Sequence, residues 1–238
     1  MQPFLYTFTL RKAHTHAHIL LFFLFLSISF SLLSCLMHNP FFFSSAQGLY
    51  VPPGKVVRIQ TSDPTQGWSV RIGCHTDTLW HMKEWLRWPQ ISKGFNLGTG
   101  VTSLASPYGG LLYLEAGGGS ASILVTVTGA ARSPWFDALC MTEHDWSLSR
   151  TYLAPWAELG GKHVIISLPS ASIRHIEHPK AVTDFWDSVV VCHASLKACD
   201  PPLRRERLVL DVQISAGYMH SGYPVGIYIY IYSERDIK

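Results

Sequence analysis

The chain has 238 residues, enough for a sizeable core in one or two domains. With 47% hydrophobic and 15% charged residues it is not a disordered polymer, and a net charge of +3 without long basic runs shows no nucleic-acid footprint. Five cysteines with no Cys-x-x-Cys pair support neither a disulfide framework nor a thiolate zinc site, so the thiols are expected to be free and mostly buried.

Residues 1–47 stand apart in texture. Arg11, Lys12 and the alternating His14, His16 and His18 precede an uncharged run from Ile19 to Met37 built almost wholly of Leu, Phe, Ile and Ser. About 20 apolar residues span a bilayer, so 19–37 reads as a membrane-span or signal-anchor candidate. Leu, Phe and Ser share pyrimidine-rich codons, and the favoured reading is that 1–47 is translated non-coding sequence.

From Gly48 the pattern is that of a globular protein. Val51-Pro-Pro-Gly54 forms a turn, and Lys55–Gln60 and Trp68–Ile72 read as short strands. An aromatic-rich stretch with Trp80, Trp85 and Trp88 follows. Leu111–Glu115 and Ser122–Thr128, separated by Gly117-Gly118-Gly119-Ser120, predict a hairpin. Short strands punctuated by turns predict a β-sandwich over 48–132.

After Pro134 the period changes. Thr142 with Asp145 predicts an N-capped helix running from Trp146 to Leu153. His163–Leu168 is a buried strand, and a second helix begins near Pro179. Its apolar face is Val182, Phe185, Trp186, Val189, Val190 and His193, spaced as one helical stripe. Leu208–Ile214 then reads as a strand buried on both faces, which completes a βαβ unit in an α/β part over 133–224. The flanking Arg204-Arg205-Glu206-Arg207 run reads as solvated charge.

Chemistry-bearing residues are few. His75-Thr76-Asp77 could set an imidazole against a carboxylate, yet with no nucleophile signature nearby it reads as a capped turn. The triple glycine is not a Walker loop, because no Lys-Ser/Thr follows. No Gly-x-Ser-x-Gly elbow occurs. His175-Ile-Glu-His178 reads as an exposed connection, Cys192-His193 as a core thiol beside a polar edge, and His220 as a structural or solvated loop histidine. No His-Glu-x-x-His occurs in the chain, so the two imidazoles that hydrolytic zinc chemistry of that type needs are missing. No catalytic, cofactor-binding or metal-binding residue is assigned, and no cofactor is expected.

Five stretches carry a resemblance: Gly48–Gly54, Ile72-Gly-Cys-His-Thr-Asp77, Gly109-Gly-Leu-Leu-Tyr113, Leu153-Ala-Pro-Trp156 and Asp211–Pro224. On these, 48–224 resembles the TRP-melastatin channel-associated factors, which carry an enhancin-like domain of the peptidase M60 type. The resemblance implies an α+β fold, a β-sandwich followed by the start of an α/β metallopeptidase-like (zincin) subdomain. It implies a truncated form too, since the family's zinc helix would come after Pro224, and 225–238 reads as a non-family tail. It further implies a non-enzymatic regulator that binds a TRP-melastatin cation channel, promotes its trafficking to the plasma membrane from the cytoplasmic side, and modulates its gating. The alternative it carries is a fragment of an enhancin-like zinc metallopeptidase.

Overall fold

The structure, a computed structural model, describes residues 6–10, 43–61, 67–116, 123–220 and 222–229, with the backbone alone at 6–10 and 43–47. The 19–37 segment, the His14/His16/His18 run, Cys35 and the triple glycine lie outside the described residues.

The first part of the chain builds β1 (Tyr6–Leu10), β2 (Phe43–Val51), β3 (Val57–Thr61), β4 (Trp68–Ile72), β5 (Lys93–Asn96), β6 (Gly100–Leu104), β7 (Gly110–Ala116), β8 (Ile123–Thr128) and β9 (Ala131–Arg132). Period-two patterning explains these elements. In β3 Val57 and Ile59 point inward while Arg58 and Gln60 stay in water, and in β4 Trp68, Val70 and Ile72 are the buried set. Two antiparallel sheets result, ordered β1-β8-β3-β6 and β5-β4-β7-β2-β9. Ile59, Val125 and Val127 of one meet Val70, Leu112 and Leu114 of the other in a shared core, which is the expected sandwich.

The predicted hairpin is overturned. β7 pairs with β2 and β4, whereas β8 pairs with β1 and β3, so the two strands belong to opposite sheets. The physical reason is burial. Gly110 to Leu114 are buried on both faces, a position in mid-sheet that takes a ladder partner on each side.

The second part contains β10 (Trp135–Asp137), α1 (Glu143–Ser149), β11 (Trp156–Gly160), β12 (Val164–Pro169), α2 (Pro179–Leu196), β13 (Glu206–Asp211), β14 (Met219–His220) and β15 (Val225–Tyr228). They form one sheet, ordered β10-β11-β12-β13-β15-β14. β12 and β13 are parallel neighbours joined through α2, which is the expected βαβ unit. α1 opens with a full capping box, in which the Thr142 hydroxyl accepts from the Asp145 amide and the Asp145 carboxylate accepts from the Thr142 amide. It ends at Ser149, short of the predicted Leu153. Asp187 of α2 accepts hydrogen bonds from the amides of Lys162, His163 and Val164, which fastens the helix to the β11–β12 turn. Val225–Tyr228, assigned from sequence to the tail, runs parallel to β13 as β15.

Three burial expectations are corrected. Only Val182 and Trp186 of the α2 stripe are packed against the core cluster, and Phe185 is 62% exposed, because the helix lies on the sheet by a narrow contact. Cys192 and His193 are accordingly exposed, as are Cys140 and Cys199, which leaves Cys74 as the buried thiol among the described cysteines. β13 alternates instead of being buried on both faces: Arg207, Val209 and Asp211 are buried, and Leu208 and Leu210 are half-covered. Arg207, read as solvated, is 1% exposed because it enters the layer between sheet and sandwich.

That layer mixes apolar and polar contacts. Tyr50, Leu111 and Tyr113 of the sandwich pack with Cys74, Ala154 and Val209. Within it the Glu158 carboxylate accepts from the Tyr113 hydroxyl at 2.8 Å, from the Ser167 hydroxyl at 2.5 Å, and from the Arg207 guanidinium. The Arg207 guanidinium also lies over the Tyr113 ring. Burial alone would lower the Arg207 pKa, but the neighbouring Glu158 charge outweighs that and raises it, so the guanidinium stays ionised.

Candidate functional site at the seam

The polar groups that sequence reading singled out converge where the β4–β5 loop meets the β13–β14 loop. Chain geometry makes this possible at two glycines. Gly73 (φ +97°) follows β4, and its backbone lies so close to Gly110 (φ +145°) that a Cβ on Gly110 would sit 2.7 Å from the Gly73 nitrogen and Cα. The tight crossing carries Cys74, His75 and Asp77 from β4 toward β13, with Cys74 still packed on Tyr50 and Tyr113 of the sandwich.

Asp77 is the centre of one half. Its Oδ2 accepts from His220 Nε2 at 2.7 Å and from the Ser215 amide at 2.8 Å. Burial works to raise its pKa, but the hydrogen bonds from Ser215 and His220 outweigh that and hold the carboxyl below its ordinary value. The His220 ring lies close against Gly226 of β15, where a Cβ would come within 2.6 Å of Nε2. Asp211 anchors the other half. It accepts from Arg87 Nε at 2.8 and 3.0 Å, and His75 Nε2 stands 3.9 Å from its Oδ2. His75 is buried edge-on against Trp156 at 4.5 Å, and that burial lowers its pKa, so the ring is neutral at pH 7. Cys74 Sγ lies 3.5 Å from His75 Nδ1, and burial, reinforced by the Glu158 charge, pushes the thiol up to about 12.

Further bonds close the seam. Gln213 donates to the Glu84 carbonyl and accepts from the Leu86 amide, while His81 Nε2 donates to the Ser215 carbonyl. A shallow depression remains between Cys74, His75, Asp77, Ile214, Pro224 and Gly226.

The chemistry of this arrangement follows from who holds whom. A nucleophilic triad needs a histidine between the carboxylate and the hydroxyl. Here the carboxylate is in the middle, and Asp77 takes the hydrogen bonds of both Ser215 and His220, so no imidazole stands between carboxylate and hydroxyl as a triad requires. Cys74 is a protonated, buried thiol and so a poor nucleophile at neutral pH. Among the described residues no three His, Cys, Asp or Glu side chains are grouped to hold a metal ion, and the sequence has no His-Glu-x-x-His. The residues present therefore do not fit a zinc centre of the zincin type.

The structure separates the sequence candidates. His75 and Asp77 are not partners of each other within a capped turn. His75 goes inward, and Asp77 reaches His220, 143 residues away. His178 is exposed and meets Glu143 at 3.1 Å, in keeping with an exposed connection. Sequence reading missed Arg87, Asp211 and Gln213. The signal for Asp211 was present, since a lone charge within an apolar strand run asks for a partner.

A sandwich leading into a helix-backed mixed sheet is the architecture of an M60-type peptidase domain. The description "N-terminal domain of M60-like peptidases" matches residues 44–128, and "Peptidase M60, enhancin and enhancin-like" matches 129–237. The chain belongs to the M60, enhancin and enhancin-like family. It is 35% identical over 186 residues to TRPM8 channel-associated factor 3 of Rattus norvegicus, an alignment covering 75% of this chain and 20% of the rat protein. With the human TRPM8 channel-associated factor 2 it shares 35% over 201 residues, 80% of this chain and 22% of the human one. The chain thus spans about one-fifth of the length of the curated relatives it matches. Among solved structures, the M60 catalytic domain of Clostridium perfringens ZmpC in complex with the sialyl T antigen aligns with a TM-score of 0.59 at 13% identity, over 78% of this chain and 43% of that one. A functionally unknown conserved protein (mutant) from Bacillus anthracis aligns at 0.60 and 21%, over 78% and 39%. These structural likenesses show the fold.

Proposed function

We propose that the protein is a non-enzymatic channel-associated factor that acts by protein–protein contact. In this reading it binds a TRP-melastatin cation channel at the cytoplasmic side of the plasma membrane, promotes the channel's delivery there and modulates its gating. The similarity to relatives named TRPM8 channel-associated factors, over three-quarters of the chain, carries the reading. The seam supports it, because its titratable groups are spent on holding the two parts together. The working parts in this reading are the sandwich (48–132) and the sheet-and-helix unit (133–224). The family matches run from 44 to 237, so 44–47 and 225–237, set apart in the sequence as non-family segments, fall within the matched region. No described helix is long and apolar enough to cross a membrane, and association through 19–37 is a separate expectation.

Co-precipitation with a TRPM8-type channel from cells, paired with surface biotinylation, tests this. Recovery of the channel and a larger surface fraction are expected, and failure of both sinks the reading. The match of 129–237 to a peptidase family supports the second reading, an enhancin-like metallopeptidase fragment. Incubation with a mucin-type glycoprotein and zinc separates the two: no cleavage is expected, and cleavage abolished by a chelator would favour the peptidase.

A further inference from the structure

The seam loop carries Trp80, Trp85 and Trp88, three of the eight tryptophans of the chain, and they are 54%, 46% and 50% exposed. Their rings meet edge to face with centroids 5.6 to 6.1 Å apart, and Tyr108 stacks on Trp88 at 6.3 Å. Single exposed apolar residues need no explanation, but a contiguous aromatic patch does. The loop beneath is held in place: Arg87 is bound to Asp211, Gln213 to Leu86 and Glu84, and His81 to Ser215. Rings fixed in this way lose little freedom when a partner arrives, which is how rigid aromatic anchors gain affinity.

We propose that this face binds a proline-rich polypeptide segment in the polyproline II conformation. Such a chain has no internal hydrogen bonds, its carbonyls are unsatisfied, and proline offers no N–H. It therefore fits a surface of aromatic faces with donors pointing outward. Trp85 Nε1 is spent on the Leu79 carbonyl, whereas the indole N–H groups of Trp80 and Trp88 have no acceptor among the described residues. The rings touch one another, so they leave no room for an alkylammonium between them, which sets aside an aromatic cage.

The proposal rests on the reading of the protein as a contact-based factor. Its test uses no channel, so the two can fail separately. Decaproline is titrated into the nitrogen-15-labelled full chain while the indole N–H resonances are followed, with a Gly-Ser decapeptide and the T-antigen disaccharide titrated in parallel. Saturable shifts of the Trp80 and Trp88 signals by decaproline alone are expected. Trp88→Phe, which keeps a ring and removes the donor, should weaken binding about fivefold, the loss of roughly one hydrogen bond. Tyr108→Ala gives a second reading should Trp88→Phe lose its dispersed amide spectrum. No decaproline shift with the fold intact overturns the proposal. Equal shifts from the Gly-Ser peptide, or shifts from the disaccharide in place of decaproline, overturn it as well.

Discussion

Neighbouring residues on one strand of the six-stranded sheet sit in two different chemistries. On β11, Glu158 faces the sandwich and accepts from Tyr113, Ser167 and Arg207, while Leu159 faces the helices among Phe136, Trp146 and Ile166. On β13, Arg207 and Leu208 divide in the same way. The sandwich face is held by directional bonds between groups that cannot be left unpaired. The helix face is held mainly by packed area, with α2 tied at the β11–β12 turn through Asp187, and α2 covers it incompletely. Directional bonds set how the sandwich sits on the sheet, and packing on the other side tolerates substitution.

The largest expected effect comes from breaking the polar face. Glu158→Ala leaves a buried guanidinium without its carboxylate and should cost about 3–5 kcal/mol in urea unfolding. Changing both partners, Glu158→Leu with Arg207→Met, should recover most of that loss, since a packed apolar pair often matches a buried ion pair. On the opposite face Leu159→Ala should cost about 2–5 kcal/mol through its cavity. No second substitution of like kind is expected to rescue it, because no charge was stranded. Equal recovery on both faces would erase the distinction.

The seam between the β4–β5 and β13–β14 loops should be weaker than the buried network, because it is partly solvated. His220→Ala removes a hydrogen bond to a charged carboxylate and should cost about 1.5–3 kcal/mol. The Asp77 contribution carries its own pH signature. A carboxyl whose folded pKa is lowered stabilises fully above its unfolded value, about 3.9, and that stability is lost as pH falls through the folded pKa. Asp77→Asn should therefore flatten the acid limb of a stability-versus-pH curve below about pH 4. An unchanged limb would remove Asp77 from the account.

Much of the frame was legible in the residues, because period and capping are local. Thr142 and Asp145 lie three apart and made the capping box that their spacing implied. The strand, helix and strand from Val164 to Asp211 formed the expected parallel pair. The hairpin failed because periodicity shows which face of a strand is buried, not which sheet receives it. The seam was illegible for a different reason. Asp77 and His220 are 143 residues apart, and Arg87 and Asp211 are 124 apart. Nothing near either residue in sequence names its partner. Arg207 looked solvated because a basic run beside a strand usually is, and only Glu158, 49 residues away, makes its burial possible.

His75 gives a prediction of direction. Burial lowers its folded pKa, so the unfolded chain takes up a proton first as pH falls below about 6.5. At this group the folded state then binds fewer protons than the unfolded one, and the stability that His75 contributes declines from about pH 6.5 downward. His75→Gln should remove that slope while keeping a polar group of similar size against Trp156. A slope that persists in the variant would assign it to another histidine.

The smallest effect belongs to the helix face. Phe185 is 62% exposed on α2, with Trp186 edge-on beside it at 5.7 Å, and it adds little to the core beneath. Phe185→Ser should move stability by no more than about 0.5 kcal/mol, the range for surface changes away from packed features. A loss of several kcal/mol would mean that the ring is covered in solution. The helix face would then be an interface like the sandwich face, and the contrast between them would shrink to one of chemistry alone.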